Sequence, residues 1–401
     1  MGTPLHPTSR IVELDALRGL AVIGIVWMNV HVFALPSQAY YNPQSWGPGI
    51  GEASSLDRLV WAASFVFVED KFRTLFAMLF GAGCLILLER TGERPWRAHY
   101  ARMAVLFAMG LAHSILFASN DILRAYAIAA CALPLLAALS HRALFAVAIG
   151  LVAVHFGAGM VAMGSAVVDV YAGRIGSDAH LFAERNFGLD PAAIAHSLEQ
   201  GREGLGERMV RRSGNIGRQL VTVAGSLPLN LAAMALGMGL WKARMLAGEW
   251  RTFLLQRLAA ICALLALPPL FALAWWVADS GFSGAFAGAA SLVLSAPFDT
   301  LLGLAYAALA MALFSAGGAV TRRLAAAGRL ALTNYLLSSL ILAAVFASWG
   351  LGLFGAVSRS EALALSFVPV AIVLALSPVW LARFGQGPAE RLWRMVADRL
   401  A

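Results

Sequence analysis

The chain has 401 residues, of which 60% are hydrophobic and only 13% charged, with a mean hydropathy of +0.74. So little polar surface excludes an ordinary water-soluble domain, and lipid must be the solvent for much of the molecule. The net charge of +8 does not mark a nucleic-acid binder, because Lys and Arg gather at the ends of apolar runs instead of on one basic face.

In chain order, the stretch 1–10 lacks an apolar segment followed by a small-residue cleavage site, so the first helix is expected to be retained. Apolar runs near 13–35, 71–90, 99–118, 121–140, 142–164, 217–241, 252–278, 297–317, 328–350 and 362–384 predict about ten crossings of a single all-α, polytopic transmembrane helix bundle. Each matches a hydrocarbon thickness of about 30 Å. Residues 59–88 would rise about 45 Å as one helix, too long for one crossing and too short for two. Glu69, Asp70, Lys71 and Arg73 divide that stretch, which predicts an interfacial or re-entrant helix near 56–69. The 166–214 segment is a long loop expected outside, with a short amphipathic helix across 192–212.

Basic residues mark alternate connections. They are Arg10, then Arg90, Arg94 and Arg97, then His141 and Arg142, then Lys242, Arg244 and Arg251, then Arg322 and Arg323. Arg383, Arg391, Arg394 and Arg399 follow the last run, so both ends are expected in the cytoplasm. Cys84, Cys131 and Cys262 each lie within an apolar run and suggest no disulfide framework.

Ionisable groups inside such runs are costly and are therefore site candidates. Helical periodicity puts Asp15, Arg18 and Asn29 on one stripe of the first helix, with Asn29 about 16 Å beyond Arg18. His31 points almost the opposite way, either lining another surface or snorkelling at the outer boundary. Asp15–Arg18 reads equally as a local ion pair, and Asn29 equally as a helix–helix hydrogen bond. Arg102 and His113 share a face of the third crossing, and His113 is either a satisfied packing group or a base. Asp121 is close enough in sequence to orient that imidazole, or to cap the following helix. Thr333, Asn334 and Tyr335 in GRLALTNYL cannot all face lipid, whereas Arg329 also fits a cytoplasmic anchor. No metal-ligand spacing, phosphate-binding loop or nucleophile elbow is present in the sequence.

The segments LDALRGLAVIGIVWMN (14–29), KFRTLFAMLFGAG (71–83), GLAHSILF and DILRAYA (110–127), GRLALTNYL (328–336) and FGQGPAERLWR (384–394) occur in this order. Together they resemble the YeiB-like family of bacterial membrane proteins. The first-helix signature is also similar to glycan O-acetyltransferases and to the heparan-α-glucosaminide N-acetyltransferase group. The resemblance implies a transmembrane acyltransferase fold in a bacterial inner membrane. Where the glycan group has a histidine eleven residues after the first-helix arginine, this chain has Asn29; where the heparan group has its histidine, it has Tyr40. His113 or His31 is then left as the base.

The expected activity is transfer of an acyl group, acetyl first of all, from cytoplasmic acyl-CoA to a hydroxyl or amine. Arg18, Arg102, Arg322, Arg323 and Arg329 would meet the CoA phosphates. Asn29 would polarise the carbonyl, His113 would take the acceptor's proton and Asp121 would fix its tautomer. Asp15, His31, Lys71, Tyr126, Asn334 and Tyr335 are candidates for the acceptor pocket, which is expected to open to the cytosol. The acceptor is a glycan, lipid or small molecule, with a homodimer as candidate assembly and no metal or nucleic acid. The rival is a transporter or channel for a small amphiphile or anion, gated near Lys71.

Overall fold

The computed structural model describes residues 11–90, 95–315 and 317–401, so Arg10 and Arg94 of the charge pattern lie outside the described residues. The regular elements among them are helices, as expected where lipid offers the backbone no partner.

Helix α1 (Val12–Ala34) ends where Leu35 turns extended ahead of Pro36. The short α2 (Ser37–Tyr41) leads to α3 (Ser55–Phe67), whose cap Ser54 accepts from the Asp57 N–H at 3.0 Å. A break containing Asp70 at φ +59° separates α3 from α4 (Lys71–Arg90). The segment expected to be interfacial or re-entrant is thus α3, which runs on as a broken apolar stretch, Ser55–Glu89. Next come α5 (Pro95–Leu116), α6 (Ile122–Ala130) and α7 (Leu133–Leu136). Helix α8 (His141–Tyr171) is 31 residues long and extends past the expected crossing into the supposed loop.

The rest of that loop is helical, as α9 (Asp178–Phe187), α10 (Pro191–Arg202) and α11 (Leu205–Gly214). The single amphipathic helix expected across 192–212 is two. Glu207 accepts from the Gly204 N–H at 3.1 Å and starts a new helix there. Helices α12 (Ile216–Lys242) and α13 (Thr252–Asp279) follow, then α14 (Gly284–Ala289), a π turn at Ala290–Leu294 and α15 (Ala296–Leu313). Helices α16 (Ala319–Arg329) and α17 (Ala331–Phe346) meet at 85°. GRLALTNYL therefore straddles a sharp bend instead of opening one straight helix. The chain closes with α18 (Arg359–Leu365), α19 (Phe367–Phe384) and α20 (Pro388–Leu400).

Among the described residues, 7 helical stretches are long and apolar enough to cross a membrane, or 8 with the bent pair. The expected crossings at 99–118 and 121–140 correspond to α5 and the broken α6–α7, which do not meet that length and composition. The architecture is an all-α polytopic bundle.

Small residues set its tightest contacts. A Cβ on Gly328 would lie 1.9 Å from the Asp15 carbonyl oxygen, and one on Gly19 would lie 2.0 Å from that of Leu324. The backbones of α1 and α16 therefore touch, which only glycine permits. Gly81 and Gly237 do the same for α4 and α12, where a Cβ on Gly237 would sit 1.8 Å from the Met78 carbonyl oxygen. The bend is capped from a distance. Glu390 of α20 accepts from the Leu332 N–H at 2.8 Å, the Thr333 N–H at 3.1 Å and the Thr333 hydroxyl at 2.5 Å. These are the orphan donors of α17's first turn, met by a carboxylate at the positive end of the helix.

Candidate functional site

A cavity of about 1140 Å³ occupies the end of the bundle that carries α2, α9, α10 and α11. Its walls come from the break between α3 and α4, the turn between α5 and α6, and from α8, α11, α12 and α15. Ser37, Ser119 and Asn120 are exposed at its rim. The charge pattern assigns this end to the outside, so the main cavity lies opposite the end where the pocket was expected.

One wall is a network of buried charge. Lys71 Nζ lies 2.6 Å from Asp299 Oδ1, with both side chains at most 4% exposed, and also donates to the Phe65 carbonyl. Beside it, Arg73 donates to Asp70 at 2.6 Å and to Asn230 Oδ1 at 2.7 Å. The Tyr126 hydroxyl donates to the Arg73 carbonyl at 2.7 Å. Removing two charges from water costs several kcal/mol each unless geometry and extra hydrogen bonds compensate. Glu69, buried in the same wall, has an Oε1 without a hydrogen-bond partner and is balanced only by the nearby charges of Arg359 and Lys71.

The second wall is built at the turn between α5 and α6. Gly110 makes it possible, because a Cβ there would meet Asp121 Oδ2 at 2.5 Å and the Arg124 nitrogen at 2.7 Å. Asp121 caps α6 by accepting from the Arg124 N–H at 3.0 Å. Its other oxygen, Oδ1, accepts from the Tyr335 hydroxyl at 3.1 Å and lies 2.9 Å from His113 Nδ1. That imidazole is close to Asp121 but off the line of a hydrogen bond, its Nε2 is buried without a partner, and its ring stands 5.0 Å from that of Tyr335. Arg124, fully buried, donates to Gln219 at 2.8 Å and to the Ser119 carbonyl at 2.7 Å. Asp121 and Gln219 line the cavity, and His113 lies behind them. His113, expected from sequence to meet the acceptor with Asp121 behind it, does not line the cavity, and the Asp121 side chain is itself enclosed.

The other candidates are dispersed. Arg18 pairs with Asp15 at 2.9 Å on α1. Asp15, Arg322 and Arg329 border a separate cleft of about 370 Å³ between α1, α16 and α19. Arg323 is exposed outside that cleft, and Arg102 approaches Asp398 at 3.8 Å while its carbonyl accepts from Trp393 at 2.8 Å. Arg102 therefore helps seat α20. Asn29 is buried away from the cavity, which α1 lines with Met28 and Val32. The shared pocket for Arg18, Asn29 and His113 does not form, because a helical stripe fixes which residues share a face and not what that face meets. His31 is only 2% exposed, so it does not snorkel, and its Nε2 has no partner. Asn334 donates to the Ala327 carbonyl at 2.9 Å and to Ser377 Oγ at 3.0 Å, tying α17 to α16 and α19. Asn334 and Tyr126 brace the bundle instead of lining the cavity.

Sequence reasoning missed Asp299, although an aspartate in the apolar run 297–317 is a signal of the same kind as His113. It also passed over Asn230, and over Arg208, Arg211 and Arg212, which enter the cavity from α11. Tyr40, noted only as a departure from the heparan pattern, lines the cavity too. Burial, then the nearby Glu69 and Asp70, holds its phenol pKa well above the usual value.

A helix bundle with a cavity sunk into it and charges paired along the cavity wall defines a polytopic membrane protein with an internal site. The chain belongs to the YeiB-like family. It is 33% identical over 402 aligned residues to the uncharacterized protein YeiB of Escherichia coli (strain K12), covering 98% of this chain and 97% of that protein. It is 26% identical to the uncharacterized protein YxaH of Bacillus subtilis (strain 168), covering 97% and 95% of the two chains. A family profile described as a protein of unknown function, DUF418, matches residues 240–399. No solved structure matches the chain.

Proposed function

We propose that this protein is a bacterial inner-membrane acyltransferase in which Asp121 is the general base. The observation that carries the reading is the enclosed stack Asp121–His113–Tyr335, of which Asp121 belongs to the turn that lines the cavity. A hydroxyl or amine acceptor in the cavity would give its proton to Asp121 as its oxygen or nitrogen attacks the thioester carbonyl of acyl-CoA. The carbon–sulfur bond then breaks, the acyl group stays on the acceptor, and CoA leaves as the thiol after taking a proton. His113 and Tyr335 act behind the carboxylate, fixing its orientation and balancing its charge. At the opposite end, Arg322 and Arg329 border a cleft where CoA phosphates could meet guanidinium groups. The likeness of the first-helix signature at 14–29 to acyltransferase groups points to the same chemistry.

The test is purified protein in lipid nanodiscs with radiolabelled acetyl-CoA. Label should pass to lipid or added acceptor, and Asp121→Asn should reduce transfer by about 10²–10⁴-fold. The rival reading, transport of an anion or amphiphile, draws on the charged break at Asp70–Lys71 in the cavity wall. Solute flux into liposomes without CoA, lost in Lys71→Met, together with no acetyl transfer, would establish it and retire the enzyme.

A further inference from the structure

Helix α11 carries three arginines into the cavity. Arg208, Arg211 and Arg212 are spaced at i, i+3 and i+4, so one face of a short helix presents three guanidinium groups. Only one is matched, since Arg211 takes Glu203 through both carboxylate oxygens at 2.7 and 2.8 Å. Glu207 of the same helix does not line the cavity and is engaged by the Gly204 N–H. Arg208 is 8% exposed, donates through Nη2 to the carbonyls of Gly201 at 2.7 Å and Glu203 at 3.4 Å, and has a buried Nε with no partner. Among the described residues the Arg212 side chain has a single long hydrogen bond, to the Ile115 carbonyl at 3.4 Å. Burial, followed by Arg208 and Arg211, presses its pKa down to about 9. A guanidinium does not give up its proton near neutral pH, so the cost of crowding is relieved by an anion.

The cavity also has a side opening. At one end α8 and α12 touch, where a Cβ on Gly239 would lie 2.5 Å from the Phe145 ring. Towards α11 both helices line the cavity with exposed residues, and a Cβ on Gly225 there would meet nothing within 4 Å. His155 of α8 bonds the Leu292 carbonyl at 2.9 Å, leaning on the π turn, while Gln219 and Asn230 of α12 bond Arg124 and Arg73 on the far side. Ala158, Ala162, Thr222 and Ala224 line the cavity along this gap and remain exposed.

We propose that Arg208 and Arg212 bind a phosphate group carried by a membrane amphiphile whose chains leave through the gap between α8 and α12. Two planar forks of donors suit a phosphate, and small residues at the gap leave room for hydrocarbon. The proposal rests on the cavity alone and is read by binding, so it stands or falls separately from acyl transfer.

The experiment titrates the purified full-length chain in detergent with short-chain phosphatidylglycerol, diacylglycerol of equal chain length, and inorganic phosphate, read by native mass spectrometry and thermal shift. Phosphatidylglycerol should bind saturably and at least ten-fold tighter than diacylglycerol. Arg208→Gln/Arg212→Gln should lose ten-fold or more, Arg208→Lys/Arg212→Lys should retain most of the affinity, and Arg202→Gln, exposed outside the cavity, should change nothing. Ala224→Trp should block the lipid while sparing inorganic phosphate. Should the double glutamine variant fail to fold, Arg212→Gln alone and Ala224→Trp carry the test. Equal binding of diacylglycerol, or undiminished binding in a folded arginine variant, overturns the site. Phosphate binding with no gain from the lipid overturns the amphiphile.

Discussion

Two short helices carry three arginines each, and they treat them in opposite ways. On α16, Arg322, Arg323 and Arg329 are all exposed, at the end where the charge pattern expects cytoplasm. On α11, at the other end, Arg208 is buried and Arg211 and Arg212 are partly buried around a cavity. Exposed arginines near a cytoplasmic boundary satisfy the rule that orients membrane proteins, so their position alone does not mark a site. Arginines drawn inward at the end that the charge pattern places outside obey no such rule, and each must be balanced or used. Charge that violates topology is a better guide to a site than charge that follows it.

That contrast can be broken in several ways, the largest effect first. Asp121→Asn should cut acetyl transfer by about 10²–10⁴-fold while leaving phosphatidylglycerol binding in place, measured on the same preparation. Among stability effects, unpairing the deepest charges should cost most. Lys71→Met or Asp299→Asn alone should lower unfolding free energy by about 3–5 kcal/mol, read by thermal or denaturant unfolding in detergent. The double replacement Lys71→Met/Asp299→Leu should recover most of that loss. Gly328→Ala should destabilise by about 1–3 kcal/mol, because the new methyl meets the α1 backbone. The smallest effect belongs to α16. Arg323→Gln, on an exposed side chain outside either cavity, should shift stability by less than about 0.5 kcal/mol. A large loss there would erase the distinction between the two helices.

The helices were largely legible because lipid demands long uninterrupted apolar runs, and 13–35 or 252–278 fit little else. The bend at Leu330 was not, since the groups that meet it, a carboxylate in α20 and the α1 backbone against Gly328, are not local in sequence. His113 and Asp121 could be linked because only a turn separates them. How closely the two pack depends on Gly110 letting α6 approach α5, a packing matter that spacing does not encode. Asp15, Arg18 and Asn29 share a stripe in sequence and still serve different neighbourhoods, for Asp15 borders the far cleft and Asn29 reaches neither. Periodicity reports direction around one axis; a pocket is made by several axes at once.

Glu390 completes the first turn of α17 from a position 58 residues beyond Leu332. During synthesis that turn would enter the bilayer region with its amide hydrogens unmet, and the partner would arrive only after α18 and α19 had been made. The bent pair should therefore lock late, as the final helix docks beneath it. A protein stalled before that point should have most of its helices inserted while the α16–α17 elbow stays open to protease.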